Sequence, residues 1–293
     1  MLAIFKREFK SYFQNVIGWL FVAALLAVYG LYFYVYNLKN GYPYISYDLN
    51  GIGFIMMIAV PILTMRSLSD EKKTKTDQLM LTSPVSVGKI VAGKYFAMAA
   101  VYTIDIALFA LSPLVLSIYG KVALSEAYVA LFGYWLYGLS CIAVGLFISS
   151  ISESVIISAI LTFAALFLSY MMQSITGLIS SSGNLLTKVL NCFDLYTPFE
   201  NFVSGCFSVT SAAYYVTVIL LLCFLTTQSI QKRRWAFSKK MIGTGAFSAG
   251  MIVVMCAICV VVNLVLTALP AKYTSLTVRL QSCTRSQAIQ RTG

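Results

Sequence analysis

Long apolar stretches separated by short polar segments dominate the pattern of this chain. A helix needs about 20 mainly apolar residues to cross the hydrocarbon core of a bilayer. The chain contains enough such stretches for seven membrane spans with short loops between them. We place the spans at residues 16–36, 47–65, 95–118, 127–148, 155–175, 213–227 and 246–269.

The segment before the first span has a different pattern, because its apolar side chains recur at helical spacing between charged ones. The apolar positions are Leu2, Phe5, Phe9, Tyr12 and Phe13. A helix of this kind lies in the membrane interface with its apolar face toward the lipid. We therefore predict an all-α integral membrane protein that begins with an interfacial helix.

The composition supports this fold class. Hydrophobic residues make up 59% of the 293 residues and charged residues 11%, whereas soluble domains carry about 25% charged residues. The low charge excludes an ordinary soluble globule and also a disordered chain, which would be polar and rich in charge. The spans and their loops use up the chain, so no separate soluble domain of ordinary size fits.

The basic residues predict how the spans are oriented, since loops rich in Lys and Arg stay in the cytoplasm. We attribute the net charge of +11 to this topology rather than to nucleic acid binding. Fourteen basic residues fall on the side of the N-terminus, against three on the other side before the C-terminal tail. The fourteen are Lys6, Arg7, Lys10, Arg66, Lys72, Lys73, Lys75, Lys89, Lys94, Lys232, Arg233, Arg234, Lys239 and Lys240. We therefore predict a cytoplasmic N-terminus, cytoplasmic segments at 66–94 and 231–241, and an external loop at 176–212.

The sequence lacks the motifs of many catalytic and nucleotide-binding sites. It has no histidine and no GxxxxGK[ST] motif. Triads with a histidine base, imidazole metal ligands and a phosphate-binding loop of that type are therefore excluded. We predict no catalytic residue, no metal site and no cofactor bound by this chain.

Asp105 is the one charged residue that falls well inside a predicted span. Intramembrane charges are costly, and many of them serve a function. Asp105 is therefore a candidate intramembrane polar site that contacts substrate or another helix. The alternative is a single structural contact with a serine or tyrosine across the bundle. The scarcity of such charges argues against an ion-coupled carrier.

Two cysteines share the predicted external loop. Cys192 and Cys206 could pair there, because disulfides persist in oxidising surroundings. Spacing alone does not fix a disulfide, so the sequence leaves this pairing open.

The segment 66–94 is the most informative polar stretch. Residues 79–81 form an apolar group beside a charged strip. Ser83 and Pro84 predict a helix start, with a side-chain cap followed by proline at the first helical position. We expect this helix to run into the third span, which suits a segment that passes force from a docked partner into the bundle. The alternative is a solvated loop with its basic residues at the lipid headgroups.

The residues of this segment form a recognisable pattern. They are Arg66, Glu71-Lys72, Thr76-Asp77-Gln78-Leu79-Met80-Leu81-Thr82-Ser83-Pro84-Val85, Gly88-Lys89 and Gly93-Lys94. The pattern resembles the hallmark segment of ABC-2-type exporter permeases, with the gliding-motility-associated branch as the nearest likeness. Residues 195–215 and 232–235 resemble the external segment before the last permease span and the basic end of the permease module. The N-terminal helix is similar to the family's interfacial elbow helix.

The resemblance implies a function and partners. In that family the segment between the second and third spans contacts the ATPase subunit. The implied contact residues here are Glu71, Thr76, Leu79, Leu81, Thr82, Ser83 and Pro84. The resemblance also implies a six-helix ABC-2 permease bundle in the bacterial plasma membrane, paired with a second permease chain that is identical or different. ATP and Mg would bind to a separate ATPase subunit, and an unidentified substrate would move outward.

The resemblance also divides the chain into regions. Residues 1–235 form the permease transmembrane domain, and 236–273 form an additional transmembrane helix that resembles the start of the companion subunit fused to this permease in some relatives. Residues 274–293 form a short polar tail, and the sequence leaves open whether it is a natural end or a truncation. The main alternative function is a non-transporting membrane scaffold of a cell-surface or gliding-type complex, since the same helices would serve it.

Overall fold

The computed structural model of the chain describes residues 1–76, 85–120, 122–179, 193–236, 250–251, 254–255, 257–258, 261–263 and 275–277. Within these residues the fold is a bundle of helices with one two-stranded ribbon. Five helices are long and apolar enough to cross a membrane, and one bent pair of helices makes a sixth crossing if it counts as one span. The predicted α-helical integral membrane fold is confirmed.

The helices are labelled here in chain order. The first half of the chain forms α1 (Leu2–Gln14), α2 (Val16–Phe33), α3 (Ile45–Gly53), α4 (Met56–Thr64), α5 (Ser69–Lys73), α6 (Val87–Phe109) and α7 (Ser112–Tyr119). A π-helical turn, Tyr34–Lys39, continues α2. The second half forms α8 (Leu124–Ile151), α9 (Val155–Ile179), α10 (Thr197–Val203), β1 (Cys206–Ser208), α11 (Val209–Ala236) and β2 (Ser275–Thr277).

Several spans extend beyond their predicted ends. The third covers Val87–Tyr119 rather than 95–118, and the last described one covers Val209–Gln231 rather than 213–227. Hydropathy locates the apolar middle of a helix, whereas its hydrogen bonds continue into polar turns at the membrane surface. Of the predicted seventh span, residues 250–251, 254–255, 257–258 and 261–263 are helical, and the rest lie outside the described residues.

The predicted second span is bent rather than straight. Its two halves, α3 and the helical region from Met56, meet at an angle of 59°. At the junction the backbone N–H of Met57 bonds to the carbonyl of Phe54, 3.2 Å away, which is a tight i→i+3 turn. Gly53 lies against the ring of Tyr196, where a Cβ atom would be only 2.9 Å from the ring. Hydropathy predicts one straight span over residues 47–65, although Gly51 and Gly53 lie directly before the break.

The helix α8 is the centre of the bundle and is buried along most of its length. Two tyrosines of α6 bind its backbone: the Tyr95 hydroxyl donates to the Leu139 carbonyl at 3.2 Å, and the Tyr102 hydroxyl donates to the Tyr134 carbonyl at 2.7 Å. Hydrogen bonds between membrane helices of this kind help to fix their packing. The span that begins after the 66–86 connection is therefore held firmly against the centre of the bundle.

A compact cap covers the end of the bundle away from the 66–86 connection. Its helix α10 buries Phe199 and Phe202 completely, and the Tyr215 hydroxyl donates to the carbonyl of Leu195 at 2.7 Å. The cap begins with Asp194, whose carboxylate accepts hydrogen bonds from the backbone N–H groups of Tyr196 and Thr197 at 2.9 and 3.0 Å. The segment 195–215 therefore forms a folded cap that is hydrogen-bonded to this end of the bundle.

The strands β1 and β2 form a small antiparallel ribbon, with Cys206 opposite Thr277. This ribbon is a minor addition to the predicted helical fold, and its three-residue strands are too short to show a period-2 pattern in the sequence. Cys206 is disulfide-bonded, while Cys192, the partner considered from the sequence, lies outside the described residues.

Candidate functional site

One end of the bundle gathers the elements around the connection between α4 and α6. We call residues 66–76 of this connection the linker. The linker packs between α1, α6 and the last turn of α8. Hydrogen bonds or ion pairs join it to α6 and to α8, and the same lysine of α6 that pairs with the linker also pairs with α1.

Lys94 is the centre of this arrangement. Its side chain is only 2% exposed, and its ammonium nitrogen lies 2.7 Å from Glu71 Oε1 and 3.3 Å from Glu8 Oε1. It also donates to the backbone carbonyl of Ser67 at 2.9 Å. Buried charges are tolerated when they are paired and hydrogen-bonded in this way. Lys94 therefore joins the third span to the linker and to α1 at one point.

The linker is also attached to the end of α8. The Ser149 hydroxyl oxygen accepts hydrogen bonds from the backbone N–H groups of Leu68 and Ser69, each at 3.1 Å. Lys72 donates to the carbonyls of Ser150 and, at 3.2 Å, Ser152. The last carbonyls of a helix have no partner within it and carry partial negative charge, so a lysine stabilises them. The linker is thus fixed to the end of α8 and to the turn that leads into α9.

The linker ends in a tight turn beyond α5. The Thr74 and Thr76 hydroxyls both bond to the carbonyl of Glu71 at 3.3 Å, and Lys75 has a left-handed φ of 57°. This turn reverses the chain at the exposed surface immediately before residue 77. The apolar residues 79–81 follow within a few positions of it in the sequence.

The structure separates the predicted contact residues into groups. Glu71 faces inward toward Lys94, and Thr76 is exposed at the surface turn. The remaining predicted contacts, Leu79, Leu81, Thr82, Ser83 and Pro84, lie outside the described residues. The helix that enters the third span begins at Val87 after Ser86. The prediction that one helix runs unbroken from Ser83–Pro84 into this span is therefore wrong, because Val85 and Ser86 are not helical.

A polar pocket of about 430 Å³ lies between α1 and the linker. Its lining consists of Arg7, Glu8, Ser11, Tyr12, Asn15, Ile17, Arg66, Ser67, Asp70, Glu71, Thr76 and Lys94. Burial raises the pKa of the Tyr12 hydroxyl, and the nearby charge of Glu8 raises it further. Tyr12 is therefore a neutral group on the wall of a pocket that is otherwise rich in charge.

Asp105 is completely buried within α6, as its position in the predicted span suggested. Neither of its carboxylate oxygens has a hydrogen-bond partner in the described part of the chain. The alternative of a structural hydrogen bond to a serine or tyrosine across the bundle is therefore absent there. The hydroxyl of the neighbouring Tyr134 is also without a partner among the described residues.

Sequence reasoning missed a second buried carboxylate. Asp48 in α3 is fully buried and accepts a hydrogen bond from Asn37, which belongs to the π-helical turn. The sequence places Asp48 at the edge of a predicted span, where a carboxylate usually reaches water. Asp48 belongs to the half of the second span that precedes the bend, and hydropathy alone did not indicate this bend. In the regions that the structure describes, no group of three or more His, Cys, Asp or Glu residues could hold a metal ion.

The family of the chain can now be stated. The sequence model of a family described as ABC-2 family transporter protein matches residues 28–269. This match covers most of the chain, so the protein belongs to the ABC-2 family of transporter proteins. It is a multi-pass membrane component of an ATP-binding cassette transporter rather than a catalytic subunit. A search of curated proteins found no match to the chain.

Proposed function

We propose that this chain is the permease subunit of an ABC exporter that moves its substrate outward with energy from ATP hydrolysed on a separate subunit. The observation that carries the proposal is the position of Lys94. This residue belongs to the third span and is buried between Glu71 of the linker and Glu8 of α1. A partner that docks on this segment would act on a part that is already connected to the membrane helices.

The contacts suggest how force would travel. A displacement of the linker would be transmitted to α6 through Lys94 and to the end of α8 through Ser149 and Lys72. Tightly packed elements shift as units rather than deform gradually. We propose that closure of ATPase subunits on ATP and Mg pushes the segment 66–94 and tilts the third span relative to the bundle.

The orientation in this proposal places the N-terminus and the linker in the cytoplasm. The excess of basic residues on the side of the linker supports it. The disulfide of Cys206 belongs to the other end of the bundle, beside the cap. Disulfides persist mainly outside the reducing cytoplasm, so the covalent chemistry and the charge distribution favour the same orientation.

The assembly we propose contains two permease chains and their ATPase subunits in a bacterial plasma membrane. One chain provides half of a pathway, and a symmetric or pseudo-symmetric pair would complete it. The resemblance to the gliding-motility-associated branch, and that of residues 236–273 to a fused companion subunit, belong to the same proposal. The exposed apolar helix faces indicate contact with the lipid bilayer and do not identify a substrate.

Co-purification with an ABC ATPase from the same organism tests the docking role. We expect the double replacement Leu79→Asp and Leu81→Asp to abolish the complex, because it places two charges in the apolar part of the proposed contact. Lys10→Asp is the matched control, since this exposed residue of α1 changes charge at the same end of the bundle but outside the contact. A complex that withstands the double replacement would reject the docking role.

The same preparation distinguishes transport from a passive scaffold. A transporting complex would hydrolyse ATP in a vanadate-sensitive way after reconstitution, whereas a scaffold needs no turnover. A complex that assembles but shows no such activity would favour the scaffold.

A further inference from the structure

The pocket between α1 and the linker lies at the level of the lipid headgroups. Its wall includes Asn15 and Ile17, where the first span begins, and Arg66, which directly follows the apolar part of the bent second span. Nearby Trp19 is 59% exposed and donates from its indole nitrogen to the carbonyl of Phe13 at 2.9 Å. Exposed tryptophans at the end of a span mark the membrane–water interface.

Most charges in the pocket neutralise one another. Lys94 pairs with Glu71 and Glu8, and Arg7 pairs with Glu8 at 2.7 Å. These four groups together carry no net charge, so they leave little attraction for a simple ion.

Two charged groups of opposite sign remain. Arg66 and Asp70 line the same pocket, yet neither has an ion-pair partner in the part of the chain that the structure describes. The two side chains do not pair with each other either. A single ligand with one anionic and one cationic group would satisfy both.

We propose that this pocket binds the headgroup of a phospholipid that carries both a phosphate and a primary ammonium, as in the ethanolamine class. The phosphate would face Arg66, which suits a guanidinium, and the ammonium would face Asp70. A primary ammonium has N–H donors for the carboxylate and for the side-chain oxygens of Ser11 and Asn15, which also line the pocket. A trimethylated choline group has none, and proteins that bind such groups use cages of aromatic rings. Tyr12 is the one aromatic residue in this lining.

The bound lipid would contact both α1 and the linker. It would therefore hold the linker against the membrane surface from the side opposite to α8. This role goes beyond the docking of an ATPase and does not depend on it, since the pocket is made entirely by this chain.

Lipid retention by the purified chain, without any ATPase, tests the proposal. The chain is reconstituted into nanodiscs of phosphatidylcholine and phosphatidylglycerol with a minor fraction of phosphatidylethanolamine, and retained lipid is measured by native mass spectrometry. We expect selective retention of phosphatidylethanolamine. Arg66→Gln and Asp70→Asn should each weaken it about tenfold, the effect of losing one charge-assisted hydrogen bond. Lys10→Gln, an exposed change outside the pocket, should not alter it.

Two further measurements are needed. One distinguishes a lipid from a soluble ligand of the same chemistry, and the other shows whether the variants fold. Soluble glycerophosphoethanolamine and inorganic phosphate should bind more weakly than the lipid; equal binding of either would overturn the assignment to a lipid. Unchanged elution and helical content would show that the variants fold. Folded variants that retain phosphatidylethanolamine like the parent chain, or equal retention of all three lipids, would also overturn the proposal.

Discussion

The replacement Lys94→Met is expected to lower the free energy of unfolding by about 3–5 kcal/mol, the cost of breaking a buried ion pair by removal of one partner. Methionine keeps the length of the side chain but leaves Glu71 and Glu8 without their shared cation. It also removes the donor to the Ser67 carbonyl. Unfolding of the purified chain, followed by tryptophan fluorescence in increasing denaturant, measures the loss.

The control for this prediction is Lys89→Met. Lys89 lies five residues earlier on the same helix and is exposed. Its replacement should change stability by less than about 0.5 kcal/mol. Adding Glu71→Gln to Lys94→Met should recover part of the lost stability, because the uncompensated carboxylate is then removed. Equal stability of the Lys94→Met and Lys89→Met proteins would show that Lys94 is not the structural junction proposed here.

The replacement Gly133→Ala is expected to destabilise the bundle by about 1–3 kcal/mol, as overpacking of a tight interior does. A Cβ atom at this position would lie 2.3 Å from Cβ of Phe202, so α8 and the cap would have to separate. The same denaturant titration detects the loss.

A glycine without neighbours provides the matched control for Gly133. At Gly30 in α2, an added Cβ meets no atom within 4 Å. Alanine has the higher helix propensity, so Gly30→Ala should leave stability unchanged or raise it by up to about 1 kcal/mol. If both replacements raised stability alike, the close contact between α8 and the cap would be disproved.

The positions of the spans were predictable because the bilayer imposes a simple rule. Backbone polar groups in hydrocarbon must be satisfied within the helix, so each crossing requires one long apolar segment. This rule locates helices but not their contacts. The approach of Phe202 to Gly133, for example, joins residues more than sixty positions apart. No local pattern contains that information.

The location of the candidate site was predictable, but which of its side chains are buried and which pair with each other was not. Lys94 counted toward the cytoplasmic charge, yet it is buried. A signal for this was present, because Ile90 and Val91 precede it by four and three residues and place it on the apolar face of its helix. Glu71, implied as a contact for the ATPase, pairs with Lys94, and its contact with an ATPase stays a prediction. The sequence of this chain gives no information about the residues of a partner, so the docking surface itself stays a prediction.

Cross-linking from the exposed turn of the linker tests the central claim most directly. Thr76→Cys, in membranes that contain the ABC ATPase that co-purifies with the chain, should form a cross-link to that subunit with a short reagent that couples a thiol to a lysine amine, and ATP should change the yield of this cross-link. The parent chain, whose described free cysteines Cys141 and Cys223 are at least partly buried, provides the background. A cysteine at position 76 that reacts instead with a membrane-impermeant reagent added outside intact cells would contradict the account.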